Sequence, residues 1–310
     1  LATKENDMTN SNRPRLFVTG STGALGRLVI TELLKRVPAS SIVAGVRSLD
    51  HDVAKQIAAH GVELRIADYS RPDTLLAAFA GIDRLLLISS SAQRDRVSQH
   101  QNVIEAAKAA GVGLFAYTSL LHADTSPLGL GEDHLRTEAL LKASGLPVVL
   151  LRHGWYMENH MAAVPPALHH GAVIGSAGEG RFSTATRADF AESAAIVLST
   201  EGHAGRIYEL AGDQSYSLAD VADAIAASAG KPIVYKDMPG AVFKNALIGM
   251  GLPESVAELI ADSDVAASKG ALEDNGRQLS ALIGRPTADY RQVVEQTVRG
   301  GSVHEGGGDF

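Results

Sequence analysis

Eight residues, Thr19-Gly20-Ser21-Thr22-Gly23-Ala24-Leu25-Gly26, carry the strongest chemical signal in the chain. Glycines three apart, directly after a short apolar run and opening a helical pattern, permit a tight turn, close approach of backbone N–H groups to a pyrophosphate, and close helix-on-strand packing. The helix N-terminus adds positive potential. A glycine-rich turn that holds nothing is the competing reading. After the second apolar run stands Ala44-Gly45-Val46-Arg47-Ser48. A carboxylate at Arg47 would hold the ribose 2′-hydroxyl of NAD; a guanidinium instead suits the 2′-phosphate of NADP, with which it pairs bidentately. A solvated surface arginine is the alternative there. Asp68, in Ala67-Asp68-Tyr69 after a third run, could accept from an adenine amino group or cap a turn. Ser89-Ser90-Ser91 and Tyr117-Thr118-Ser119 follow two further runs and offer small residues along a cofactor path, and a hydroxyl, or plain polar turns.

Absent motifs narrow the chemistry. None of the seven tyrosines has a lysine four residues on, so no phenol and ammonium pair for proton transfer on one helix face. Gly230-Lys231 is followed by Pro232 and is no P-loop, and no G-x-S-x-G elbow occurs. Eleven histidines, with His160, His169 and His170 near one another, lack the spacing and carboxylates of a metal site, and no metal is expected.

The elements that must position these residues are legible as alternation. Leu16-Phe17-Val18, Ile42-Val43-Ala44, Leu64-Arg65-Ile66, Leu85 to Ile88, Leu114 to Tyr117 and Val148 to Leu151 read as strands of a parallel sheet. Helical segments separate them: one carries Leu25, Val29, Leu33 and Val37 until Pro38 stops it, another runs from Asp95 to Ala110 and ends at Gly111. Six strands and their helices imply an α/β fold, a doubly wound (Rossmann-type) parallel sheet with helices on both faces and its ligand beyond the strand C-termini. From Arg152 the order weakens into a His- and Pro-rich loop to His170, a helix from Arg187 to Ser199, a strand at Ile207 to Leu210, a helix from Ser217 to Ala229, a strand at Ile233 to Tyr235, and helices around 241–249 and 254–269. A smaller, mostly helical C-terminal lobe is expected. The implied division is a disordered tail at 1–13, an NADP-binding domain at 14–152 to which 184–212 returns, a substrate lobe at 153–183 and 213–299, and a flexible tail at 300–310. Met8 is the expected natural start.

With 28 Lys+Arg against 35 Asp+Glu in 310 residues, the net charge of −7 disfavours nucleic acid and anionic lipid. The lack of cysteine removes thiolate nucleophiles, disulfides and Fe–S clusters, and fits a reducing cytoplasm. No apolar stretch approaches the roughly 20 residues of a membrane helix.

Together the glycine motif, Val43 to Arg47, Ala67-Asp68-Tyr69 and Ala116 to Leu130 resemble the NmrA-like group of atypical short-chain dehydrogenases, and within it the bacterial NADPH:quinone oxidoreductases. Leu151 to Asn159, Ser183 to Asp189 and Ala261 to Val265 extend the resemblance over roughly 15–298. It implies a flavin-free, metal-free, NADPH-dependent reductase that lacks the tyrosine and lysine pair, as here. Carried over by motif, Gly20, Thr22, Gly23, Ala24, Leu25, Gly26 and Arg47 would bind the pyrophosphate and 2′-phosphate. Asp68 and Tyr69 would stand on the adenine side, Ser89, Ser90 and Thr118 would line the cofactor path, and Trp155, Tyr156, Glu158 and Asn159 would frame nicotinamide and substrate.

Three departures matter, the first two for substrate choice and the third because it removes any lysine-based proton donor. His153 stands where the family usually has Asn, Ala92 to Arg96 replaces a Glu-Val-Gly-Gln-Arg loop, and Ala139 follows Thr137-Glu138 in place of Lys. The leading expectation is hydride transfer to a quinone-like, conjugated aromatic acceptor, with His134, Tyr156, Ser119 and His153 as candidate proton donors; for His134 alone a buried, satisfied core histidine is the favoured reading. The alternatives are reduction of azo or triphenylmethane dyes, and a non-catalytic NADP-sensing regulator. Assembly is left open, a homodimer being one expectation.

Overall fold

The computed structural model describes residues 13–92 and 94–300. Apart from Arg13 and Gly300, the two expected tails fall outside the described residues, as do Met8 and Gln93. In chain order the first half contains β1 (Leu16–Val18), α1 (Ala24–Leu34), β2 (Ile42–Val46), α2 (Asp52–Ala59), β3 (Glu63–Ile66), α3 (Pro72–Phe79), β4 (Arg84–Leu87), α4 (Arg96–Ala110), β5 (Leu114–Leu120), α5 (Gly129–Ser144) and β6 (Val148–His153). There follow α6 (Met157–Met161), α7 (Val164–His170), β7 (Ala172–Gly175), β8 (Arg181–Phe182), α8 (Arg187–Ser199), β9 (Ile207–Leu210), β10 (Tyr216–Ser217) and α9 (Leu218–Ala229). The chain closes with β11 (Val234–Asp237), α10 (Gly240–Gly249), α11 (Glu254–Ala267), α12 (Gln278–Ile283) and α13 (Tyr290–Val298).

Seven strands form one parallel sheet in the order β3-β2-β1-β4-β5-β6-β9. β1 and β2 are apolar along their whole length, and β4, β5 and β6 over most of theirs, because both faces of the sheet are covered. Leu16 and Val18 of β1 join Val29, Leu33, Ala194 and Leu198 in a core built on α1 and α8. Phe17 between them points the other way, meeting Phe79 edge-on at 5.0 Å beside Val103 and Leu141. The same parity governs β5, where Ala116 faces α8 while Tyr117 faces α4 and α5. That alternation decides which hydroxyls reach which side of the sheet.

Beyond β6 the chain builds a lobe and returns. β9 pairs parallel with β6, Leu151 opposite Tyr208 and His153 opposite Leu210. The lobe itself holds two small ribbons, β7 with β11 in parallel and β8 with β10 antiparallel, around Val173, Tyr216, Val221, Ile225 and Val294.

Several local expectations need correction. Val37 is not helical: α1 stops at Leu34, and the Val37 amide donates back to the Leu33 carbonyl. The expected loop at 153–170 contains α6 and α7. Pro165 and Pro166 lie in the first turn of α7, where amides have no intrahelical acceptor and proline costs nothing, and Gly171 at φ 72° closes it. The helix at 254–269 ends at Ala267.

Candidate active site

At the C-terminal end of β1 the glycine loop is tied to the sheet on both sides. Thr19 N donates to Leu86 O at 3.0 Å and Ser21 N to Gly45 O at 3.2 Å, while Ser21 Oγ donates to Val18 O at 2.7 Å. Gly20 takes φ 57°, a left-handed conformation that glycine adopts without strain. A Cβ on Gly26 would lie 2.2 Å from Gly20 O, so only glycine lets the first turn of α1 sit against the loop. That turn carries neither a side-chain cap nor an acidic residue. Its amides and the positive helix end are therefore available to an anion.

Arg47 follows β2, is exposed, and makes no hydrogen bond or ion pair among the described residues. Asp68 takes the turn-capping role, its Oδ1 accepting from Ser70 N at 2.9 Å. Tyr69 is a wedge under the loop: its hydroxyl lies 2.5 Å from Thr19 Oγ1 and 3.0 Å from Ile88 O, and burial pushes the phenol pKa up.

The serines after β4 are pinned from below. Ser89 N donates to Thr118 Oγ1 at 2.9 Å, Ser90 N to His100 Nε2 at 2.9 Å, and Arg96 Nε to Ser90 O at 2.8 Å. His100 thus accepts at Nε2 and carries its proton on Nδ1, which lies 2.9 Å from Thr137 Oγ1. Burial lowers its pKa to about 3.

Two expected proton donors turn out to be committed to the α5 face. His134 is buried, with Nδ1 2.8 Å from Tyr117 OH, and burial followed by the Arg96 charge lowers its pKa to about 3. It is a satisfied core histidine. Ser119 shares the parity of Tyr117 and donates to Glu138 Oε1 at 2.5 Å. Glu138 in turn holds Arg152 at 2.8 Å, and Arg152 reaches Glu209 at 2.7 Å and Asp124 at 3.2 Å. The hydroxyl therefore belongs to a charge cluster binding β5, α5, β6 and β9.

The other two donors, His153 and Tyr156, come together after β6. The His153 ring stacks on Phe190 of α8 at 4.4 Å, and its Nδ1 lies 3.5 Å from Tyr156 OH. Burial lowers the His153 pKa to about 3, so the imidazole is neutral at physiological pH and has no second proton to give. Tyr156 is raised to about 12, chiefly by burial, and keeps its phenolic proton. Trp155 packs against a cluster that contains Leu120 at the end of β5, Leu128 before α5, and Phe182 and Leu272. Glu158 Oε1 accepts from Arg187 N at 2.8 Å, and Asn159 Oδ1 accepts from Arg187 Nη2 at 3.2 Å. Burial raises the Glu158 pKa against the pull of Arg187.

The profile of the NmrA-like family matches residues 12–284. This chain belongs to that family. The NmrA-like chain is 51% identical over 279 residues to quinone oxidoreductase 2 of Escherichia coli, covering 90% of this chain and 97% of that one. The crystal structure of an NADPH-dependent quinone oxidoreductase from Escherichia coli complexed with NADPH superposes with a TM-score of 0.88 at 50% identity, covering 91% and 99% of the two chains. Triphenylmethane reductase of Citrobacter sp., complexed with NADP(H), gives 0.86 at 35% identity over 91% and 99%.

Within this NmrA-like site, Arg187 and the Glu138–Arg152 pair escaped the sequence reading. Arg187 carries a readable signal: it directly follows the capping-box residue Thr186, at the helix end where a cation is electrostatically disfavoured. Arg152 follows four apolar residues within β6, which marks a buried, paired charge. Among the described residues no group of three or more His, Asp or Glu is placed to hold a metal ion, and no helix is long and apolar enough to cross a membrane.

Proposed function

We propose that this chain is an NADPH-dependent oxidoreductase whose acceptor is a quinone-like conjugated molecule. The observation that carries the reading is the bare N-terminus of α1 over a loop closed to side chains, beside the uncommitted Arg47. These residues fit a dinucleotide phosphate: the loop backbone at Gly20, Thr22 and Gly23 with the first-turn amides of Ala24, Leu25 and Gly26 for the pyrophosphate, and a guanidinium for the 2′-phosphate. Asp68 and Tyr69 stand on the adenine side, Ser89, Ser90 and Thr118 line the path, and Trp155, Tyr156, Glu158 and Asn159 frame the reacting end. Bound NADPH supplies two electrons and a hydrogen as hydride from nicotinamide C4.

The chain's own residues supply orientation and one proton. Conversion of a quinone to its hydroquinone takes that hydride and a proton at the carbonyl oxygens. Tyr156 is the group that holds a transferable proton, since His153 beside it is neutral and His134 and Ser119 are engaged elsewhere. Orientation of acceptor against donor contributes on the order of 7 kcal/mol to such reactions.

The test is NADPH consumption by the purified flavin-free protein with a simple quinone, repeated with NADH and with Arg47→Ala. Turnover that prefers NADPH, with the preference reduced about tenfold or more in the variant, supports the reading. Turnover only with azo or triphenylmethane dyes moves the acceptor class; tight NADPH binding without turnover replaces the enzyme with a sensor.

A further inference from the structure

We propose that Arg187 is a positioning residue for this reaction, a clamp reaching from the first turn of α8 to the 155–159 turn that fixes the plane of the Tyr156 ring; the inference rests on the reductase reading above. Four contacts converge on it. The guanidinium carbon stands 4.5 Å from the centroid of the Tyr156 ring. Nη2 donates to Asn159 Oδ1 at 3.2 Å, Nη1 lies 3.6 Å from Glu158 Oε2, and the backbone N donates to Glu158 Oε1 at 2.8 Å.

The surroundings show that these contacts matter to one another. Three of the four buried side-chain polar atoms without a hydrogen-bond partner among the described residues, His153 Nε2, Glu158 Oε2 and His160 Nε2, fall in this one segment. Buried polar groups are nearly always satisfied, and clustered exceptions mark a site arranged for something other than stability. Glu158 Oε2 has Arg187 as its ion-pair partner, and both side chains are close to seven-eighths buried (13% and 12% exposed), so solvent screens the pair little.

Only a planar guanidinium can lie over an aromatic face while donating sideways in its own plane. The position also runs against the helix dipole, so the contacts with the turn, not helix stability, keep a cation there. Finally, α8 shares one core with α1, Phe190 and Val29 belonging to the same cluster. The helix that opens on the glycine loop and the turn that carries Tyr156 are thus braced against one body. A broken clamp should disturb alignment more than cofactor binding.

The experiment compares full-length wild type, Arg187→Met and Arg187→Lys with NADPH and 1,4-benzoquinone, reading kcat, KM and thermal midpoint. Acrylamide quenching of Trp155, the single tryptophan of the chain, reports the turn directly. The clamp predicts that kcat falls on the order of 10- to 100-fold in Arg187→Met, with KM for NADPH within about twofold. Trp155 becomes easier to quench, and lysine, which keeps the charge but not the plane, restores less than half of the loss on a logarithmic scale. Unchanged kcat and quenching in both variants overturns it, as does a loss of activity that only follows a lowered thermal midpoint. Full recovery with lysine assigns the effect to charge and overturns the clamp. Should wild type fail to reduce any quinone, the reductase reading falls, while the quenching comparison still decides whether Arg187 fixes the turn.

Discussion

The two ends of the proposed cofactor site are built by opposite means. At the glycine loop the work is done by backbone: strand-to-loop hydrogen bonds, a left-handed Gly20 and a Gly26 with no room for a Cβ. At the 153–160 turn it is done by side chains from distant segments, with Phe190 and Arg187 of α8 against His153, Tyr156, Glu158 and Asn159. A backbone-built site leaves few choices of residue, and its chemistry is the same whatever the acceptor. A side-chain-built site can be retuned one residue at a time, which suits the half that must choose a substrate.

The largest expected effect comes from closing the backbone-built end. Gly26→Ala forces a Cβ into Gly20 O, and NADPH affinity measured by fluorescence titration should drop at least about 100-fold, since the amides can no longer converge on one anion. Affinity within a few fold of wild type would show that the loop rearranges freely and that the contrast is overstated. Next comes Tyr156→Phe, which keeps the ring under Arg187 and removes the proton. Turnover with a quinone should fall on the order of 100-fold with NADPH binding unchanged; equal turnover would leave water as the proton source.

The smallest effect on catalysis belongs to His134→Ala, which should leave kcat within about twofold while lowering stability by about 1–3 kcal/mol, because the buried Tyr117 hydroxyl loses its partner. Its clearest signature is in pH. His100, His134 and His153 have pKa values lowered to about 3 in the folded protein, from 6.5. Between those values the unfolded chain binds protons that the folded one does not, so stability falls as pH drops below about 6.5, by up to about 1.4 kcal/mol per pH unit for each histidine. Urea denaturation from pH 7 to 4 should show a shallower slope in His134→Ala; an identical slope would place His134 in contact with solvent.

The same contrast explains what was legible in advance. The strands and the glycine loop announce themselves because their signals are local: apolar runs and glycine spacing. The turn residues were visible only through family resemblance, since nothing near Tyr156 in sequence reveals Phe190 or Arg187 across it. The partners of Ser119 and His134 were hidden for a different reason. Strand parity already puts Ser119 on the side of Tyr117, but knowing that α5 supplies Glu138 and His134 to that side requires the packed fold. The helices at 157–170 were hidden because prolines in a first turn look like breakers until the helix start is known.

The late return of β9 to the sheet has a consequence during synthesis. When β6 has left the ribosome, its outer edge is bare and Arg152 lacks Glu209, which arrives only with β9. At about 5–20 residues per second the intervening lobe takes some seconds to appear. Through that interval the nascent chain carries an unpaired strand edge of the kind that recruits foreign strands. The first 153 residues hold the whole glycine loop, yet they are poorly suited to a separate life: released early, such a fragment should be a preferred client for chaperones, and β9 is the piece that discharges it.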